Sequence, residues 1–308
     1  MQTKKDLISI KDLAIEEIEH IFELTDALKA NPFSMSSALA ARSMGMIFQK
    51  ASNRTRVSFE VGMTQLGGHA IYLGPDTIKL GVREKTSDIA KTLSRYLDII
   101  VARVYSHKDI VELAECSTIP VINGLSDISH PCQGLTDAYT VKEKAGMFKN
   151  RKLAFVGDGN NVLHSLLYVS AKLGLNLSIA TPKGYEPAKA VYNQAQGFAT
   201  KSKAKIVLSN DPKEAARSAD FIYTDVWASM GQEKEAVKRK KAFRGFTVDK
   251  KLVSLAKEDC KIMHCLPAHR GEEISDEVID SANSIVFDQA ENRLHVQKAI
   301  LVWLLTGR

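Results

Sequence analysis

Met44-Gly45-Met46-Ile47-Phe48-Gln49-Lys50-Ala51-Ser52-Asn53-Arg54-Thr55-Arg56 is the stretch on which the fold turns. Its apolar head, 44–48, reads as a buried strand. Its tail leads into Val57, Val61, Met63 and Leu66, whose spacing reads as one face of a helix. Hydroxyl, amide and guanidinium groups therefore crowd a strand-to-helix turn. A helix N-terminus already offers free N–H groups and the positive end of the macrodipole. Ser52, Thr55 and Arg54 added there make a site for a phosphate dianion. The plainer reading is a cap, with Ser52 closing the helix and both arginines solvated. Two arginines in a first turn oppose the dipole, so capping explains them poorly.

The same alternation runs outward along the chain. Apolar, β-branched runs at 44–48, 70–73, 98–104, 119–123, 152–156, 176–180, 205–208, 220–224, 261–264 and 284–287 read as strands, with helical patterns between them. One helix carries Ile89, Leu93, Tyr96 and Leu97 behind a Thr86-Ser87-Asp88 cap cluster. Another carries Val162, Leu166, Val169 and Leu173 and stops at Gly174. A final apolar helix spans 292–305. Such alternation predicts an α/β fold with mainly parallel sheets flanked by helices. The 308 residues suffice for about two such domains, with a junction near 146–151.

Composition excludes several classes. With 44% hydrophobic and 25% charged residues the chain is globular. No run approaches the roughly 20 apolar residues of a membrane span, and the N-terminus lacks a signal peptide's apolar core. The expectation is a cytoplasmic protein with no membrane partner. The net charge of +6 is spread among interspersed signs, which favours an anionic substrate over nucleic acid. Cys116, Cys132, Cys260 and Cys265 show no C-x-x-C spacing of a zinc or redox site, so reduced thiols are expected.

The unusual polar residues share one feature. Ser52–Thr55, Arg103, His130 with Gln133, Asn160 with Asn161, Asp225 and Cys265 each follow or end an apolar run. The carboxyl ends of strands are where open α/β sheets bind ligands. The shared position predicts one cleft between two sheets. Gly157-Asp158-Gly159-Asn160-Asn161 resembles a dinucleotide fingerprint but lacks its third glycine, because position 162 is Val. His264-Cys265-Leu266-Pro267-Ala268-His269-Arg270 offers either a Cys-His nucleophile pair or a cysteine that touches substrate. Adjacent strand residues point to opposite faces, which places His264 poorly for Cys265. In His130-Pro131-Cys132-Gln133, Pro131 suits a first helical position, and His130 and Gln133 can address one carbonyl or amide. Asp225 precedes a flexible segment, Val226-Trp227-Ala228-Ser229-Met230-Gly231. The basic run Lys234 to Arg244 reads as a solvated face. A phosphate pocket, amide-recognising groups and a carboxylate suited to an amine together suggest a group transferase acting on a small phosphorylated compound.

Over essentially its full length the chain resembles the ornithine carbamoyltransferases. Ser52-Asn53-Arg54-Thr55-Arg56 is similar to the family's Ser-Thr-Arg-Thr-Arg phosphate motif, and His130-Pro131-Cys132-Gln133 to its His-Pro-x-Gln motif. Asp225 with Ser229-Met230-Gly231 resembles the ornithine-binding segment. His264 to Ala268 resembles the motif that separates ornithine from aspartate enzymes.

The resemblance implies a carbamoyl-phosphate domain at 1–147, an ornithine domain at 148–290, and a C-terminal helix, about 291–308, that packs back on the first domain. It implies transfer of a carbamoyl group from carbamoyl phosphate to L-ornithine, giving L-citrulline and phosphate in arginine synthesis. No cofactor and no metal are implied. A homotrimer with sites at subunit boundaries is. Ser52, Asn53, Arg54 and Thr55 would bind the phosphate, and Arg103, His130 and Gln133 the rest of carbamoyl phosphate. Asn161, Asp225, Ser229 and Met230 would bind ornithine, while Cys265, Leu266 and Arg293 complete the reacting centre. Arg54, Arg103, His130, Cys265 and Arg293 would be catalytic. Two positions depart from the pattern. Asn53 replaces the usual Thr, and Lys79 stands where ornithine enzymes usually carry Gln. Aspartate enzymes use a lysine of this loop to reach a neighbouring site, so Lys79 would bind carbamoyl phosphate across an interface. Acetylornithine, putrescine and aspartate are the alternative acceptors. A non-catalytic binding protein, for nucleotides or nucleic acid, is the alternative of another class.

Overall fold

Strand and helix alternate through residues 4–228 and 233–307, the part of the chain described by the computed structural model. Strands β1 (Ser43–Phe48), β2 (His69–Leu73), β3 (Ile99–Arg103) and β4 (Val121–Leu125) form one sheet in the order β2-β1-β3-β4. Strands β5 (Lys152–Val156), β6 (Asn176–Ala180), β7 (Ile206–Ser209), β8 (Phe221–Thr224) and β9 (Lys261–His264) form another, in the order β7-β6-β5-β8-β9. Every pairing is parallel. Parallel strands buried on both faces need unbroken apolar runs, and β3 and β8 are buried at every residue.

The strand orders fix where ligands go. In the first sheet the chain steps from β1 outward to β2, then crosses to β3 on the other side of β1. In the second it runs outward from β5 through β6 to β7, then returns to β8 on the other side of β5. Such reversals open a crevice at the carboxyl ends of the two central strands. Ser52–Thr55 and Arg103 follow or end β1 and β3, while Asn160 and Asp225 follow β5 and β8. Contacts divide the chain into two compact units, Met1–Thr136 with Glu291–Arg308, and Asp137–Ala290.

The structure corrects four expectations. Residues 284–287 do not form a strand: Ser284 makes a single bridge to Ile262, and the last helix begins at Val286 and runs to Thr306. A short apolar run fits a buried helix start as well as a strand. The helix Asn53–Gln65 buries Thr55, Phe59, Gly62 and Met63, leaving Val57 and Val61 49% and 38% exposed. Its buried face meets the last helix, where Ser58 and Gln297 exchange a hydrogen bond and a Cβ on Gly62 would lie 3.1 Å from Lys298 Cγ. Met63 and Leu66 are buried as the pattern predicts, but Thr55, Phe59 and Gly62 take the inward places read for Val57 and Val61. The helix Thr86–Leu93 has Lys85 as its N-cap with no side-chain capping bond, and it stops before Tyr96, which is exposed. Finally, Arg239 in the basic run is buried, not solvated. The helix Asn161–Leu173 ends as read, with Gly174 at φ 78°.

Candidate active site

In the first unit Ser52 has extended backbone and no side-chain capping bond. The hydroxyl therefore does not serve the helix, which removes the plain capping account. The two arginines differ. Arg56 pairs with Glu60 at 3.2 Å and lies over the Tyr72 ring at 3.8 Å, so it is held on its own helix face. Arg54 is half-buried in the first turn and makes no side-chain hydrogen bond or ion pair among the described residues.

Behind this turn the cationic groups converge. Pro131 opens the helix Pro131–Ala145, and the N–H groups of Gln133 and Gly134 bond to His130 O at 3.1 and 3.0 Å. This places the His130 imidazole at the helix mouth. Arg293 donates from Nη1 to Gln133 Oε1 at 2.6 Å, from Nη2 to Thr55 Oγ1 at 3.1 Å and from Nε to Gln297 Oε1 at 2.9 Å. One guanidinium thereby ties the Ser52–Thr55 turn to the His130–Gln133 segment. Burial, then the charges of Arg293, Arg103 and Arg54, hold His130 well below its ordinary pKa. The imidazole is neutral beside three cations. A neutral imidazole can donate to a carbonyl oxygen without adding a fourth charge. Asn53 is exposed, and Lys79 is an exposed residue with φ 39° closing the turn Pro75–Ile78.

In the second unit the helix Asn161–Leu173 starts from a side-chain cap. Asn160 Oδ1 accepts from the N–H groups of Val162 and Leu163 at 3.0 and 3.1 Å, and its Nδ2 donates to Asp225 Oδ2 at 2.7 Å. The other oxygen of Asp225 accepts from the Cys265 thiol at 3.0 Å. Asn161 lies next to the cap, half-buried at the first helical position. The sequence names both Asn160 and Asn161 at this strand end, whereas the ornithine set that the resemblance implies holds Asn161 alone. An Asn directly before a helical pattern is the cap signal that marks Asn160.

The surroundings of Cys265 disfavour its thiolate. Burial, the Asp225 charge and the bond to Asp225 push its thiol well above the ordinary value. His264 is no base for it, because its Nδ1 accepts from Leu266 N–H at 2.8 Å and its Nε2 meets Glu273 Oε1 at 3.1 Å. The Leu266 backbone is held at φ 57°, a left-handed conformation rare for leucine and costly enough to need such support. Asp225, His264 and Cys265 bring ligand atoms within 4.8 Å of one another. With both ring nitrogens engaged, His264 has no lone pair for a metal. Gly159 serves chain packing, since a Cβ there would lie 2.3 Å from the Glu186 carbonyl carbon. Ser229 and Met230 lie outside the described residues.

The carbamoyl-P binding domain of the aspartate/ornithine carbamoyltransferases matches residues 5–143, and their Asp/Orn binding domain matches residues 149–304. The chain belongs to the aspartate/ornithine carbamoyltransferase family. Among family members, "Ornithine carbamoyltransferase, anabolic" of Pyrococcus furiosus is 53% identical, across 98% of this chain and 97% of that one. The ornithine carbamoyltransferase of Pyrococcus horikoshii is also 53% identical, across 98% of this chain and 96% of that one. The solved structure of the Pyrococcus furiosus enzyme superposes with a TM-score of 0.95, covering 99% of this chain and 98% of the other at 53% identity. The two crevices described above fall one in each family domain. No helix among the described residues is long and apolar enough to cross a membrane.

Proposed function

We propose that this protein transfers the carbamoyl group of carbamoyl phosphate to the side-chain amine of L-ornithine, giving L-citrulline and phosphate in the direction of arginine synthesis. The reading is carried by one observation within the family match: the charges of three guanidiniums, Arg293, Arg103 and Arg54, act together on a buried His130 and hold its pKa well down. Carbamoyl phosphate is a small dianion with one polarisable carbonyl. Arg54 and the first-turn N–H groups suit its phosphate, with Ser52, Asn53 and Thr55 as further donors. Arg103, His130 and Gln133 suit its carbonyl and amide, and Arg293 joins Gln133 to Thr55 of the first turn.

The ornithine amine attacks the carbonyl carbon. Negative charge moves onto the carbonyl oxygen, the bond to the bridging phosphate oxygen breaks, and the amine gives up a proton. Donors fixed before the reaction stabilise that charge without reorganising. Asp225, held by Asn160 and Cys265, suits the α-amino group of ornithine; Asn161, Ser229 and Met230 are assigned to ornithine as well, and Cys265 and Leu266 to the reacting amine. The proposal assigns carbamoyl phosphate to 1–147 with the returning helix 291–308, ornithine to 148–290, and requires both half-sites to serve one substrate pair.

The proposal extends to a cytoplasmic homotrimer. Val57 and Val61 form an exposed apolar pair on the helix that carries Arg54. Lys79 sits on an exposed segment with Val82, which is 84% exposed. Both suit burial against a second copy, with Lys79 reaching a neighbour's phosphate site as a point charge. The deciding assay offers carbamoyl phosphate with ornithine, acetylornithine, putrescine and aspartate. Citrulline formation with ornithine preferred is expected, and a preference for any other acceptor overturns the assignment.

A further inference from the structure

Arg239 lies in the helix Ala236–Ala242, amid Lys234, Lys238, Lys240 and Lys241, all exposed. It alone of these cations is buried, at 7% exposure. Its Nη1 donates to Asp158 Oδ2 at 2.9 Å and to Trp227 O at 2.8 Å, and its Nε to Glu235 Oε2 at 3.2 Å. The guanidinium also lies 5.0 Å from the centre of the Tyr185 ring. Asp158, Tyr185 and Trp227 belong to the segments that follow β5, β6 and β8. A single side chain thus gathers three neighbouring strand exits.

Two of those exits carry the ornithine half-site. Asp158 lies two residues before Asn160, whose N–H bonds to Asp158 O at 2.8 Å. Trp227 lies two residues after Asp225. The Asn160–Asp225 bond of 2.7 Å therefore spans two segments that Arg239 holds from the far side. We propose that Arg239 and Asp158 act as a buried clasp that positions Asn160 and Asp225 for the amino-acid substrate. Neither touches substrate, and both are positioning residues. The proposal rests on the ornithine reading for its substrate, and on geometry alone for its mechanical part.

The chemistry suits the task. A planar guanidinium can meet a carboxylate, a backbone carbonyl and a ring face at once, whereas an ammonium is a point charge that cannot reproduce the fork. Burial pushes the Asp158 carboxyl up to about 6, against the pull of Arg239. The carboxylate is thus ionised and paired at neutral pH.

The test uses the purified full chain as Arg239→Lys and Asp158→Asn. Ornithine KM is expected to rise at least about tenfold in both, as a weakened bond to a charged group predicts, with carbamoyl phosphate affinity unchanged in calorimetry. A second readout needs no turnover. Loosening Asp225 frees the Cys265 thiol, so iodoacetamide should label the Cys265 peptide faster in the variants, as read by mass spectrometry. Unchanged ornithine KM and unchanged labelling in folded variants overturn the clasp. Equal loss of both substrates, tracking a fall in Tm, reduces it to a merely structural role and overturns it as well. A wild-type chain that makes no citrulline from ornithine sinks the functional reading instead, and the labelling rates then decide the clasp by themselves.

Discussion

Asn160 and Asp225 are joined by a 2.7 Å hydrogen bond, and the same Asn160 side chain caps the helix Asn161–Leu173 through its oxygen. One residue thus starts a helix and fixes the carboxylate proposed to meet the substrate's α-amino group. Asn160→Asp separates the two roles. Asp still caps, so the fold and Tm should change little. The donor to Asp225 is lost and a second carboxylate faces it. Loss of a bond to a charged group is worth ~1.5–3 kcal/mol, so ornithine KM should rise roughly 10- to 100-fold. Steady-state kinetics check this, and an unchanged ornithine KM would remove Asn160 from the site.

Arg54 is expected to anchor the phosphate, because Arg56 is held by Glu60 and Tyr72. Arg54→Ala should lower catalytic efficiency on the order of 100-fold or more while keeping the helix, since Ala favours it. Arg56→Ala should lose far less. Normal carbamoyl phosphate binding by Arg54→Ala in calorimetry would place the anchor elsewhere.

A shared site would show itself by complementation. Arg54→Ala and Lys79→Ala should each be weak alone, and mixtures of the two should regain activity in proportion to mixing, because in the proposed trimer some interfaces would pair an intact Arg54 with a neighbour's intact Lys79. Both changes on one chain should not be rescued. Full activity of Lys79→Ala would mean a solvated lysine instead.

His130 gives a stability prediction with a definite sign. Burial and the Arg293, Arg103 and Arg54 charges depress its pKa in the folded chain below the ordinary 6.5. The unfolded chain therefore takes up a proton that the folded site refuses. This contribution to stability is complete above about pH 6.5 and is lost as pH falls from there toward the depressed value. His130→Asn should flatten that part of the Tm-against-pH curve, measured by scanning calorimetry. A curve of unchanged slope would show that the imidazole is not held neutral.

The Cys265 thiol is kept protonated by burial and by Asp225. Iodoacetamide should label it slowly at about pH 8, and faster in Asp225→Asn, where the opposing charge is gone. Rapid labelling of the native thiol would restore the nucleophile reading.

Much of this architecture is legible in the chain itself. Strands buried on both faces must be unbroken apolar runs, so β1, β3 and β5 announce themselves. The turns between strand and helix carry their polar residues at fixed places, so Ser52–Thr55, His130, Asp225 and Cys265 can be named before any coordinate is known. Where the sequence misleads, a neighbour in space decides. Ser284-Ile285-Val286-Phe287 has the composition of a strand but opens a helix. Val57 and Val61 have helical spacing but face outward, because the last helix takes the side bearing Thr55, Ser58 and Gly62. Local pattern records what a segment can bury, not which partner will cover it. Arg239 looks like any lysine beside it until Asp158, far off in the chain, and the nearer Trp227 close around it. The sequence by itself determined the element order, the parallel class and most of the chemical groups, because these follow from short-range periodicity and residue type. Only the tertiary structure decided which arginine is free, which asparagine holds Asp225 and which histidine and thiol stay neutral. Charge, burial and hydrogen bonding depend on distances between segments, which spacing along a chain does not contain.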